Sequence, residues 1–201
     1  MTNESLTDLG SAAAGIAHDL NNQLMLVLNY IEVSNLDGAR AAARRCTALT
    51  SSLLGWCRGE TMSMTRVALD PFLVDFADSV ELPEGVSLTL DIPESLPEIK
   101  ADPVALSRVL TNLVGNACDA MRGEGRIEIH AFERTIEVTD SGPGITPENL
   151  KQVFEPFFTT KGSSGTGLGL AIVREIMRQH GGGVWVRSRP GHGATFSLRF
   201  R

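Results

Sequence analysis

Residues 4–34 contain no proline, and their apolar side chains recur at spacings of three or four residues. This spacing places the apolar side chains on one face of an α-helix and is typical of a helix that packs in a bundle. The apolar positions are Leu6, Leu9, Ala13, Ile16, Leu20, Leu24, Val27 and Ile31. Since most of the stability of such a helix comes from packing its apolar face, this part of the chain requires a partner surface.

The segment SNLDG at residues 34–38 supplies turn residues and a helix cap, and a second amphipathic helix is predicted to run to about Arg58. Two antiparallel helices joined by a short turn form a helical hairpin, which alone has only half a core. Pairing with a second copy would complete a four-helix bundle. We therefore expect residues 1–60 to form a dimerisation hairpin and the chain to be a homodimer.

Composition excludes several classes of protein. The net charge is −6 and the chain has no run of Lys or Arg, so nucleic acid is not an expected partner. The longest apolar run, LMLVLNYI at residues 24–31, is far shorter than the roughly 20 residues that span a bilayer, so no membrane contact is expected. Cys46, Cys57 and Cys118 lack CxxC spacing, which favours reduced thiols over a zinc site or disulfides. We therefore expect a soluble, cytoplasmic protein.

From residue 64 onward the pattern changes to a mixture of short strands and helices. Helices are predicted after Asp70-Pro71 and over 103–121 and 168–180. Strands are predicted near 64–69, 86–91, 126–131, 134–139, 183–188 and 194–200. This succession predicts an α+β sandwich over 64–201, with helices on one face of a mixed sheet. The fold class expected for the chain is an α helical hairpin, as a dimeric four-helix bundle, followed by this α+β sandwich domain.

The segment IEVTDSGPGI at residues 136–145 is a predicted strand that ends on Asp140 and continues directly into Gly-Pro-Gly. Gly142 and Gly144 would let the backbone approach a flat ligand closely. Asp140 could accept a hydrogen bond from an exocyclic amine of that ligand. An ordinary exit from a strand into a turn is the alternative, since such exits often contain Asp and Gly.

Residues 162–180, GSSGTGLGLAIVREIMRQH, combine a glycine-rich loop with an amphipathic helix. Gly165, Gly167 and Gly169 leave backbone N–H groups accessible, and a helix N-terminus adds partial positive charge, which suits phosphate. The segment is not a P-loop, because no Gly-Lys-Ser/Thr follows the glycines. It also lacks the directly preceding strand of a dinucleotide fingerprint. A flexible loop without a ligand is the alternative.

In the segment RVLTNLVGNACDAM, Asn112 and Asn116 lie one helical turn apart on the same face of an otherwise apolar helix. Asn is a mediocre helix former, so its repetition suggests that the carboxamides reach a ligand. A neutral oxygen ligand beside phosphates suits Mg²⁺. Two solvated asparagines without a ligand are the alternative.

Taken together, these segments resemble the ATP-binding domain shared by sensor histidine kinases, gyrase-type topoisomerases, Hsp90-type chaperones and mismatch-repair ATPases. NLVGNACDAM, DSGPGI, FEPFFTTK and GTGLGLAIV look like the N, first-glycine, F and second-glycine boxes of that family. The resemblance covers residues 64–201 and implies that they form a catalytic domain that binds ATP and Mg²⁺.

The resemblance also implies individual roles. Asp140 would bind the adenine amine, Asn116 would coordinate Mg²⁺, and residues 154–167 would form a lid over the nucleotide. Thr160 and Lys161 would lie near the phosphates, and Thr195 would back the adenine pocket. The nucleotide-binding residues implied are Asn112, Asn116, Asp140, Gly142, Gly144, Thr160, Lys161, Gly165, Thr166, Gly167, Leu168, Gly169 and Thr195.

The segment GIAHDLNN places His18 about 155° away from the mean direction of the apolar stripe, with Asn22 one turn further on the same face. His18 is therefore either a surface residue or a reactive one. With Asp19 and Asn22 it resembles the phosphoacceptor box of histidine kinases. HDLNN, NACDAM and EPFFTTK together look most like the nitrogen-regulation-type subgroup.

A histidine kinase of this type would autophosphorylate His18 from ATP and pass the phosphoryl group to an aspartate of a response regulator. A neutral imidazole is a competent nucleophile near neutral pH. Asp19 would hold the tautomer and stabilise the developing cation. Asn22 would orient water for phosphatase action on the regulator, a role that the resemblance implies.

Two other functions stay open from the sequence. The first is an ATPase or serine kinase of the same superfamily. The hydrolytic members of that superfamily carry a glutamate where this chain has Asn112. Because the Asn112 amide cannot accept a proton, ATP hydrolysis should be slow. The second is a catalytically silent dimeric scaffold that only senses nucleotide. The intact GTGLGL, FEPFFTTK and HDLNN segments argue against it.

Overall fold

The computed structural model describes residues 22, 24–36, 38, 39, 43, 46, 62–93, 95–162 and 165–201. The chain divides into two compact units. The first comprises Met1–Thr61 together with Lys161–Thr166, and the second comprises Met62–Thr160 together with Gly167–Arg201.

In the first unit, residues 24–32 are helical and are followed by a tight turn. Ser34 takes a left-handed conformation (φ 57°), and the Asn35 N–H donates to the Tyr30 carbonyl (2.7 Å), as in the Schellman motif that ends many helices. The Asn35 side chain accepts a hydrogen bond from the Gly38 N–H (2.9 Å) and so caps the helical residues that follow. The described residues thus contain the predicted turn between two helical segments, while the complete hairpin and the four-helix bundle stay predictions.

The second unit contains seven strands and four helices among its described residues. The strands are β1 Thr65–Val67, β2 Gly85–Asp91, β3 Ile99–Ala101, β4 Glu124–Phe132, β5 Thr135–Asp140, β6 Gly183–Ser188 and β7 Ala194–Arg199. The helices, numbered within this unit, are α1 Leu69–Ser79, α2 Pro103–Ala120, α3 Pro147–Leu150 and α4 Gly169–Gln179.

Five of the strands form one mixed sheet in the order β2-β4-β5-β7-β6. β2 and β4 are parallel, and the other neighbours are antiparallel. β1 and β3 form a separate antiparallel pair. Helices α1, α2 and α4 pack against the five-stranded sheet. The α+β architecture expected for this part of the chain is therefore confirmed.

The core lies between the helices and one face of the sheet, because side chains alternate between the two faces along each strand. The sheet residues on this face and the helix residues that meet them are almost fully buried. They include Ile127, Ile129, Ala131, Ile136, Val138 and Leu198 from the sheet and Leu106, Leu110, Leu113, Val173 and Met177 from the helices. The sheet thereby holds α2 and α4 in place, and both helices carry predicted site residues.

Helix α2 begins where the Asp-Pro pair predicts. The Asp102 carboxylate accepts hydrogen bonds from the N–H groups of Val104 (2.9 Å) and Ala105 (3.1 Å), and Pro103 occupies the first helical position. A buried apolar face then runs to Ala117, so that Asn112 and Asn116 occupy the half-buried border of the helix.

Two elements of the fold were not predicted. Strand β3 has three residues and helix α3 has four, and such short segments carry no periodic pattern. Among the residues that the structure describes, no helix has both the length and the apolar character needed to cross a membrane.

Candidate functional site

Asp140 ends β5 on the core face of the sheet and is only 7% exposed. Its Oδ1 accepts hydrogen bonds from the N–H groups of Gly142 (2.8 Å) and Ala194 (3.3 Å). No residue in the described part of the chain donates to the other oxygen, Oδ2. Burial raises the pKa of this carboxyl group, and the two N–H groups oppose that rise. One oxygen is therefore held by the protein, and the other is open to a donor.

The glycines that follow Asp140 leave room around it. A Cβ on Gly142 would lie 2.8 Å from Asp140 Oδ1, so any larger residue would displace the carboxylate. Gly144 has a left-handed conformation (φ 73°), and a Cβ there would collide with the Arg189 carbonyl. Gly142 is thus required by the Asp140 carboxylate, and Gly144 by the backbone of Arg189.

Asn112 and Asn116 meet the first residue of α4. A Cβ on Gly169 would lie 3.2 Å from Asn112 Oδ1 and 3.5 Å from Asn116 Nδ2. The Asn112 Nδ2 donates to the Arg108 carbonyl (2.9 Å), so its Oδ1 is the end that faces α4. Leu168, directly before Gly169, is buried. The structure therefore brings together the asparagine pair and the N-terminus of the helix that follows the glycine-rich loop.

Phe157 and Gly167 meet at the base of the segment predicted to be a lid. The Phe157 N–H donates to the Gly167 carbonyl (3.0 Å). Gly167 is left-handed (φ 66°), and a Cβ there would collide with the Phe157 backbone. Phe157 is itself left-handed (φ 67°), an unusual conformation for a residue with a side chain. Glu155, two residues before Phe157, forms an ion pair with Arg174 of α4 (3.0 Å).

The middle of the predicted lid is divided between the second unit and the first. Thr160 is exposed and belongs to the second unit, whereas Lys161, Gly165 and Thr166 belong to the first. The Gly165 N–H donates to the Gly162 carbonyl (3.3 Å). The roles of Thr160, Lys161, Gly165 and Thr166 toward phosphate stay predictions.

Thr195 is not brought together with Asp140. Its hydroxyl lies 3.0 Å from the Thr139 hydroxyl, on the face of the sheet opposite the Asp140 carboxylate. The reason is the alternation of side chains along β7, which places Ala194 rather than Thr195 on the Asp140 face. Any effect of Thr195 on an adenine pocket would therefore have to pass through the sheet.

His18 and Asp19 lie outside the described residues. Asn22 is described: it is helical and exposed. The predicted phosphoacceptor group is therefore represented in the structure by Asn22 alone.

Sequence reasoning missed the residues that close the site from the β6–β7 end. The Ser188 hydroxyl accepts from the Ile145 N–H (2.8 Å) and donates to the Gly193 carbonyl (2.6 Å). A Cβ on Gly193 would collide with the Asp140 carbonyl. Ser188 and Ile145 are 43 residues apart in the chain, so no local pattern could have paired them.

Comparison with known proteins agrees with this arrangement. Residues 101–201 match the family of histidine kinase-, DNA gyrase B- and HSP90-like ATPases. The chain is 36% identical over 214 residues to the sensor histidine kinase ZraS of Escherichia coli strain K12, a match that covers 97% of this chain and 46% of ZraS. The chain thus spans about half the length of this relative.

Solved structures agree as well. The catalytic domain of the histidine kinase ThkA is 33% identical, with a TM-score of 0.58 over 69% of this chain and 95% of that domain. A ThkA structure in complex with the response regulator protein TrrA has a TM-score of 0.75 over 98% of this chain and 63% of that chain. The two chains are 24% identical, so this match shows a similar fold only. Because the family match takes in half of the chain and includes Asn116, Asp140 and Gly169, this chain belongs to the histidine kinase-, DNA gyrase B- and HSP90-like ATPases.

Proposed function

We propose that this chain is a histidine protein kinase that transfers the γ-phosphoryl group of ATP to His18 and then to an aspartate of a response regulator. The observation that carries the proposal is the buried Asp140 carboxylate, with one oxygen held by backbone N–H groups and the other without a donor among the described residues. The similarity to sensor histidine kinases over almost the whole chain supports it.

Adenine recognition is assigned to Asp140. Its open Oδ2 would accept a hydrogen bond from the exocyclic amine of adenine, while the Gly142 and Ala194 N–H groups hold Oδ1 in place. Because both N–H groups are fixed by the sheet and its adjoining turn, the carboxylate is oriented before the ligand arrives. Such preorganisation lowers the entropic cost of binding.

Phosphate binding is assigned to the N-terminus of α4 and to the loop that precedes it. A helix N-terminus attracts anions through its unpaired N–H groups and its dipole. Asn112 and Asn116 are half-buried carboxamides beside this terminus, and carboxamide oxygens suit Mg²⁺, which prefers oxygen ligands. The residues present therefore fit a magnesium ion held through Asn116. Such an ion would neutralise charge on the phosphate oxygens.

The phosphoryl transfer requires an acceptor with a free electron pair. An imidazole nitrogen of His18 would attack the γ-phosphorus, so that an N–P bond forms while the bond to the β,γ-bridging oxygen breaks and ADP leaves. Asp19 would accept a hydrogen bond from the other ring nitrogen and stabilise the positive charge that develops. Alignment and charge neutralisation supply most of the remaining catalysis.

Hydrolysis of ATP by water is disfavoured at this site. Asn112 is an amide, and its Nδ2 already donates to the Arg108 carbonyl, so it offers no base to activate a water molecule. This favours a kinase over an ATPase of the same family. Asn22, exposed on the first unit, is assigned the orientation of water when the chain dephosphorylates its regulator.

Residues 1–60 are proposed as a dimerisation and phosphoacceptor hairpin, and residues 64–201 as the catalytic ATP-binding domain. Exposed apolar residues in the described part of the hairpin support a homodimer through a four-helix bundle, since such residues are normally covered. They are Leu24, Met25, Leu28, Ile31, Val33 and Leu36. Membership of the nitrogen-regulation-type subgroup rests on the HDLNN, NACDAM and EPFFTTK segments and is part of the proposal.

The proposed function is tested by incubating the chain with Mg²⁺ and γ-labelled ATP, with a His18→Ala variant as the control. We expect label that is labile in acid, stable in alkali and absent from the variant, as phosphohistidine requires. Subsequent addition of a receiver domain should remove the label from the chain. Acid-stable label on the protein, or free phosphate without labelled protein, would instead indicate a serine kinase or an ATPase.

A further inference from the structure

His180, at the C-terminal end of α4, is one of the few buried polar residues in the described part of the chain, with 6% exposure. Its Nδ1 lies 2.8 Å from the Ile176 carbonyl, and its Nε2 accepts a hydrogen bond from the Asp102 N–H (3.0 Å). A backbone N–H can only donate, so Nε2 must be unprotonated and the proton lies on Nδ1. The ring therefore donates through Nδ1 to the Ile176 carbonyl and accepts through Nε2 from the Asp102 N–H.

Asp102, the hydrogen-bond partner of His180, also contacts two other segments of the second unit. Its Oδ1 caps α2 through Val104 and Ala105, and its Oδ2 accepts a hydrogen bond from the Ser63 N–H (2.7 Å). One residue thus joins the start of α2, the end of α4 and the second residue of the second unit. Phe200 packs edge-on against the His180 ring, with the ring centroids 6.0 Å apart.

These contacts define how α2 and α4 lie against each other. The start of α2 meets the end of α4 at Asp102 and His180. The other end of α4 meets the asparagines of α2, since Gly169 lies beside Asn112 and Asn116. The two helices are therefore antiparallel, and α4 is held at both of its ends, by a part-buried hydrogen bond at one and by close packing of Gly169 at the other.

We propose that His180, acting through Asp102, is a positioning residue that sets the offset of α4 along α2. The inference rests on the proposed function, because that offset decides how the phosphate-binding terminus at Gly169 faces Asn116. Adenine recognition does not depend on it, since Asp140 is carried by the sheet and not by either helix. Loss of the His180–Asp102 bond leaves a part-buried N–H without its acceptor and allows α4 to shift. The shift weakens the magnesium-dependent part of ATP binding, while the adenine contact with Asp140 is kept.

A matched pair of variants tests this. In His180→Gln, the amide oxygen can reach about the position of Nε2 and accept from the Asp102 N–H. In His180→Asn, the same amide group sits one methylene shorter, where it can still donate to the Ile176 carbonyl but cannot reach Asp102. The measurement is the ratio of the ATP dissociation constants in EDTA and in excess Mg²⁺, by titration calorimetry of the full chain. Because partial unfolding weakens binding equally in both conditions, the ratio reports only the magnesium-dependent part.

We expect the His180→Asn variant to lower this ratio by about fivefold, the equivalent of one hydrogen bond. The His180→Gln variant should retain the wild-type ratio. If the His180→Asn variant keeps the wild-type ratio, the inference is overturned. It is also overturned if both variants lower the ratio equally, because any change at this position would then have the same effect. A wild-type chain that does not bind ATP, or binds it no better with Mg²⁺, overturns the proposed function and the inference with it.

Discussion

At the scale of single residues, the most consequential feature is a carboxylate buried where it costs stability. Asp140 is 7% exposed and has two N–H partners but no opposite charge among the described residues, and its pKa is raised by burial. A core position of this kind would normally hold an apolar side chain. The cost becomes intelligible if the carboxylate is kept to bind a ligand.

Replacement of Asp140 by Asn should weaken ATP binding by about tenfold to a hundredfold, the cost of losing a charge-assisted hydrogen bond. Titration calorimetry with wild type and variant measures the change directly. Asp91→Asn is the matched control, because Asp91 is an exposed carboxylate on the same sheet and pairs with His130 (2.8 Å). Equal affinities for wild type and Asp140→Asn would remove Asp140 from the nucleotide site.

The same substitution should have the opposite effect on folding. Because the pKa of Asp140 is raised in the folded state, that state binds the proton more tightly than the unfolded chain does. The free energy of unfolding therefore falls as the pH rises through the folded-state pKa. Without nucleotide, Asp140→Asn should be more stable than wild type at neutral pH, and the difference should shrink in acid. Urea unfolding at a series of pH values checks this; a variant that is less stable at neutral pH would show that the two N–H hydrogen bonds outweigh the cost of burying the charge.

At the scale of elements, the sequence predicts those that are long and periodic. Helices α2 and α4 begin close to where the Asp-Pro pair and the glycine-rich loop indicate, because capping and loop residues are local signals. The three segments of the candidate site are equally local. Ala194 and His180 are absent from the predicted site because their contacts join distant parts of the chain, which residue patterns do not encode.

The base of the predicted lid offers a test at this scale. Gly167→Ala places a Cβ against the Phe157 backbone in a left-handed conformation, and we expect it to weaken ATP binding by about tenfold. Gly162→Ala is the control, because Gly162 is also left-handed (φ 57°) but a Cβ there meets no described atom within 4 Å. Its effect should stay within about threefold. Similar losses in both variants would show that backbone strain alone, and not contact with Phe157, is responsible.

At the scale of the whole molecule, the proposal requires two copies of the chain. Leu24, Leu28 and Ile31 lie on one side of their helix at 47%, 60% and 53% exposure in the single chain. Leu28→Asp would place a charge in the proposed bundle and should convert dimer to monomer in sedimentation velocity. Val104→Asp is the control, since Val104 is an 80% exposed apolar residue of the second unit. A wild-type chain that sediments as a monomer would contradict the four-helix bundle.

The claim on which the proposed function depends is that the γ-phosphoryl group of ATP reaches His18. Fragmentation mass spectrometry of the intact chain, kept at alkaline pH after incubation with Mg²⁺ and ATP, locates the group most directly. We expect the added mass of one phosphoryl group on His18 in wild type and none in Asp140→Asn at an ATP concentration that leaves that variant unbound. A phosphoryl group on a serine or threonine, or an unmodified chain that has consumed ATP, would contradict the claim.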